Sequence, residues 1–192
     1  IGDTILPKLI ETDSKDILLK LVDVILGYRK NEIGTFEEYS SLMGRYYFSV
    51  FLEKYMNAIH QIGGIEVLNI TLKKIDTIVS EDPSQFNIVW IPSIKEEYDF
   101  ERYESQLIHF IWTGLISLGT DSSKDLIETL LKKDHPIFKR IALCEIDQNY
   151  DMHGEIFWRI EENPLEEYYT GYEVYELLKN NCRKFSDRKS VV

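Results

Sequence analysis

The chain has 192 residues, 44% of them hydrophobic and 12% aromatic, with only 10 glycines and 5 prolines. This composition excludes disorder as the main state and a turn-rich all-β architecture, and the length suffices for one substantial core or two small ones sharing an interface. The net charge of −11 repels phosphate, so nucleic acid and anionic membranes are disfavoured as partners.

The sequence opens on Ile1 with no basic-then-apolar leader, which reads as a piece of a longer protein. Residues 16–30 look helical, and because "ILLKLVDVIL" is apolar on most sides, that helix is expected to be deeply buried. Phe48, Leu52, Tyr55, Ile59 and Ile62 step by four and three, which sets them on one stripe of a helix. Ile65, Leu68, Leu72, Ile75 and Val79 repeat the stride, and Gly63-Gly64 between them predicts a tight junction of two antiparallel helices.

The segment Glu81 to Tyr98, "EDPSQFNIVWIPSIKEEY", carries two prolines and an apolar run around Trp90. It is expected to be an extended, non-helical excursion, with Trp90 as a candidate contact residue. Helical spacing resumes with Phe100, Tyr103, Leu107, Phe110 and Gly114. The longest uncharged run, Ser105 to Thr120, is shorter than the ~20 residues of a membrane span and is interrupted by His109, so a buried core helix is predicted. Ser122 to Asp125 reads as a capping box ahead of "LIETLL".

In "KKDHPIFKRIALCEID", Lys132 to Asp147, a helix start accounts for the conspicuous residues. Asp134 or His135 caps the free amides, and Pro136 stands in the first turn, where no N–H is needed. Ile137, Phe138, Ile141 and Ala142 form the predicted buried face, Lys139 and Arg140 point outward, and Cys144 packs as a small apolar residue. Beyond it, Asn163-Pro164 and Gly171 break an acidic, tyrosine-rich end into short helices. There Tyr168, Tyr169, Tyr172 and Tyr175 either cover a helix pair or offer a surface to a partner, and Arg183, Lys184, Arg188 and Lys189 read as a helix end running into a linker.

"HPIFKRIAL" places a charged residue, a proline and then an arginine followed by Ile-Ala-Leu, a pattern that resembles the second helix of a HEAT-like repeat. Together with the preceding "IVWIPSI", it resembles helical segments of large bacterial ATPases of the STAND or NACHT type, many of which act in defence against phage. The resemblance implies a superhelical sensing or scaffolding arm in the cytoplasm, with the nucleotide site elsewhere in the parent protein. Helices of about 12 to 20 residues with short connections would make roughly four such hairpins.

Chemical motifs are sparse. There is no P-loop string, "GLISLG" at 114–119 falls inside a helical stripe, and His153-Gly154-Glu155 lacks the paired cysteines of a zinc deaminase. His60, His109, His135 and His153 are too far apart in sequence for helical ligand spacing, so no metal and no cofactor are expected. Cys144 and Cys182 have no paired spacing, which implies free thiols in a reducing compartment. Acidic pairs such as Glu161-Glu162 and Glu166-Glu167 read as a solvated face.

One catalytic alternative stands. Arg102 and His109 lie seven residues apart, hence nearly above one another on a helix, where a guanidinium and an imidazole could serve RNA cleavage. This spacing resembles the arginine-to-histidine element of the all-α HEPN ribonucleases, although Tyr103 follows the arginine where a polar residue is usual. The expectation is therefore a single all-α, HEAT-like domain of antiparallel helical hairpins over residues 1–192. It would act without catalysis, by binding a protein partner or neighbouring domains of the parent chain through anchors such as Trp90, Tyr168 and Tyr172.

Overall fold

The structure, a computed structural model, describes residues 6–9, 12, 14–31, 39–87, 91–95, 102–118, 120–160 and 165–185. It is 74% helical. Packing resolves two compact units: Ile1–Phe86 with Glu97–Leu118, and Asn87–Glu96 with Gly119–Val192.

The first unit contains helix α1 (Lys15–Ile25), strands β1 (Tyr28–Lys30) and β2 (Tyr39–Ser41), and helices α2 (Arg45–Gly63), α3 (Ile65–Glu81) and α4 (Tyr103–Ser117). The hairpin is a departure from the all-α expectation. Residues 28–30 leave the helix predicted to reach Lys30 and pair antiparallel with β2, Tyr28 opposite Ser41 and Lys30 opposite Tyr39. Gly27 permits the turn: a Cβ there would meet Leu42 Cδ1 at 2.7 Å and the Val24 carbonyl at 2.8 Å. Helix α1 is amphipathic, not engulfed. Leu18, Val22 and Ile25 are buried, while Ile17 and Val24 are exposed.

Helices α2 and α3 pack together across the predicted glycine junction. Gly64 has φ +56° and ψ −139°, a backbone state open almost only to glycine, and a Cβ on Gly63 would stand 2.1 Å from Val67 Cγ2. Phe48, Leu52, Tyr55 and Ile59 line the α2 stripe, and Leu68, Leu72, Ile75 and Val79 that of α3, all buried as the spacing predicts. Helix α4, the uncharged run, packs against α2, α3 and β2 and is buried from Tyr103 to Ile108. Tyr103 donates to the Leu26 carbonyl at 2.7 Å, which ties α4 to the end of α1.

The excursion follows α3 and passes to the second unit at Asn87. Its described part is turn at 83–86 and bend between 92 and 95, and Ile91, Ser93 and Ile94 are buried. The second unit continues with α5 (Thr120–Leu131), α6 (Pro136–Gln148), α7 (Tyr150–Phe157), a short 3-10 turn (Tyr168–Thr170) and α8 (Gly171–Asn181). Helix α6 is its centre and packs against α5, α7, α8 and the 3-10 turn. His135 Nδ1 accepts from the Ile137 N–H at 3.3 Å ahead of Pro136, so the start of α6 is built as its sequence indicates. Helix α5 begins at Thr120, so Ser122 and Ser123 lie inside it and not at a cap. Gly171 opens α8 where a break was expected.

Candidate functional site

Helix α6 carries two opposite functions on its two sides. Residues 140, 144 and 147 form one stripe facing α8, and 139 and 143 look onto a cleft. Arg140, expected to point outward, is 1% exposed: its Nε and Nη2 both donate to Glu173 Oε1, at 3.0 and 2.7 Å. The reason is a partner 33 residues away, which lets a guanidinium enter the core with its charge neutralised. Two turns on, Asp147 accepts from Asn181 Nδ2 at 2.8 Å and Asn180 Nδ2 at 3.0 Å, and Lys95 of the excursion closes an ion pair with it. Cys144 packs between these groups, and burial pushes its thiol far above the usual range, so it is inert.

This polar clamp fixes α8 on α6 and leaves the outer face of α8 open. Tyr172 and Tyr175 lie on that face, 37% and 62% exposed, and Tyr168, in the 3-10 turn ahead of it, is 77% exposed. Tyr169, nearly half exposed, stands edge-on to Tyr168 at 5.4 Å, and the Lys179 ammonium lies 5.6 Å over the Tyr175 ring. Tyr168, Tyr169 and Tyr175 are thus open to solvent, and Tyr172 lies at the margin of their surface, beside Lys95 and Asp147. Trp90 lies outside the described residues, as do Glu161, Glu162, Arg188 and Lys189.

On the other side of α6 lies a cleft of about 710 Å³ between α5, α6, α7 and the 3-10 turn. Its floor is aliphatic, from Leu131, Leu143, Ile156 and Ile160. Lys132, Lys133, Lys139 and Arg159 reach its rim from three separate elements. Lys139 is held by Glu167 at 3.3 Å.

Two arrangements invite a catalytic reading. Ser123 Oγ lies 2.9 Å from His153 Nε2, a nucleophile–base distance, yet both side chains are 1% exposed and no buried acid receives His153 Nδ1. The pair fastens α5 to α7. In the first unit, Arg102 is the N-cap residue of α4, is buried, and has Glu104 Oε2 3.8 Å from its Nε. His109 is half-buried on the same helix. The Arg102 guanidinium is thus buried beside the Glu104 carboxylate, an arrangement in which each charge offsets the other. Among the described residues no cluster of His, Cys, Asp and Glu could hold a metal ion, and no helix is long and apolar enough to cross a membrane.

Sequence reasoning missed Lys95, Arg140, Asp147 and Glu173 as a set. Each charge reads as a surface residue by itself; only Arg140, on the same helix face as Cys144, carried a positional signal. Comparison with known proteins adds no homology: no family model, no curated protein and no solved structure matches the chain.

Proposed function

We propose that the chain is a non-catalytic helical interaction module that docks a protein partner on the tyrosine surface at α8. The observation that carries this reading is the exposure of Tyr168 in the 3-10 turn and of Tyr172 and Tyr175 on α8, a helix whose opposite face is held by the buried Arg140–Glu173 pair and by hydrogen bonds from Asn180 and Asn181 to Asp147. Tyrosines supply large contact area at low entropic cost, and a rigid platform reduces what must be ordered on binding. The partner's chemistry follows from charge: a chain of net −11 favours a surface with arginine or lysine between its apolar groups, which can stack on the tyrosine rings.

The finer architecture belongs to the same proposal. The glycine-joined α2–α3 pair and the His-Pro start of α6 support hairpins of HEAT-like type. Membership of a larger bacterial ATPase of the STAND or NACHT type, with a part in phage defence, rests only on the resemblance of "HPIFKRIAL" and "IVWIPSI". The test is quantitative affinity capture with the full chain and a Tyr168→Ala/Tyr172→Ala variant, repeated at raised salt. A basic protein held by the native chain, weakened at least roughly tenfold by the variant and by salt, supports the reading. Equal retention by the variant overturns it.

A further inference from the structure

We propose that the cleft between α5, α6 and α7 is a binding site for a small amphipathic monoanion, a single carboxylate or sulfonate head carried on an apolar body. This goes beyond docking at the tyrosine surface and does not depend on it. Three observations converge. The volume, about 710 Å³, falls within the roughly 300–1,000 Å³ of small-molecule sites. The floor is formed by four aliphatic side chains, which favours an apolar body. Among the described residues the lining departs from the sign of the molecule: in a chain of net −11, four cations stand against three carboxylates around this cleft.

The individual charges refine the ligand. Lys132 follows the end of α5, exposed and without an acidic partner among the described residues, and is the cation best placed to take a head group. Arg159, on the far side, is 61% exposed, pairs at 3.5 Å with the exposed Glu155 carboxylate and donates from Nε to the Glu155 carbonyl at 3.3 Å. Lys139 is neutralised by Glu167, and Lys133 lies 4.8 Å over the Phe138 ring. Glu128 and Asp134 remain on the rim and oppose any polyanion. One negative charge fits; a nucleic-acid backbone or a polyphosphate does not.

The test is fluorescence titration of the full chain with anilinonaphthalenesulfonate, which joins one sulfonate to an apolar body. The same titration is run with N-phenylnaphthylamine, which lacks the charge. Saturable one-to-one binding is expected, weakened at least roughly tenfold in a Lys132→Glu/Arg159→Glu variant that unfolds at the native urea midpoint. Lys20→Glu, an exposed change in the other unit, leaves affinity as it was, and so does Tyr168→Ala/Tyr172→Ala. Absence of saturable binding overturns the proposal. So does equal affinity for the neutral probe, indifference to the Lys132/Arg159 change, or loss of binding with the tyrosine variant.

Discussion

His60 shows how one residue can set the acid limit of a core. It is 3% exposed in α2, its ring centroid lies 4.3 Å from that of Phe110, and neither ring nitrogen has a hydrogen-bond partner among the described residues. Burial, aided by His109, lowers its pKa to about 4 from the ordinary 6.5. The folded chain thus resists the proton that the unfolded chain accepts. The stability that follows is fully present above pH ~6.5 and is lost as the pH falls towards 4, up to about 3 kcal/mol at 1.36 kcal/mol per unit. Urea midpoints between pH 7 and 4 should fall more steeply for the native chain than for His60→Gln; parallel curves would refute this. At Arg140 the issue is pairing. Arg140→Ala leaves the Glu173 carboxylate buried without its cation and should cost about 3–5 kcal/mol, whereas Arg140→Met/Glu173→Met should recover most of that in the same denaturation assay.

Elements were legible where a local rule decides them. The stride of α2 and α3, the glycine junction and the His-Pro start of α6 all follow from neighbours in sequence, and all are present. Elements decided at long range were not. Nothing near Tyr28 announces that it will pair with Ser41, and nothing near Arg140 names Glu173. Tyr168 and Tyr172 were legible as residues but not as a surface, because their exposure depends on which side of α8 the clamp occupies. The junction offers a direct element-scale test. Gly63→Ala forces a methyl against Val67 and should lower the melting temperature by more than Gly64→Ala, which strains only the backbone by about 1–3 kcal/mol. Adding Val67→Ala should relieve part of the first loss and none of the second.

At the scale of the whole molecule, charge and connectivity govern behaviour. With −11 overall, association with a basic partner should accelerate at low ionic strength, and the association rate should fall steeply as salt rises towards 0.15 M while dissociation changes little. Stopped-flow measurement against the captured partner checks this; a salt-independent rate would assign the contact to the tyrosines alone.

The first unit is not continuous in sequence: its last helix, α4, follows the ten-residue visit of Asn87–Glu96 to the second unit. On a ribosome, α1, α2, α3 and the hairpin therefore emerge before the apolar helix that they enclose. At about 5–20 residues per second, the delay until Leu118 is synthesised is roughly 2–6 s. During that interval the stripes of α2 and α3 face water, so nascent chains halted near Phe86 should bind hold-type chaperones, and chains halted beyond Leu118, once clear of the exit tunnel, should not.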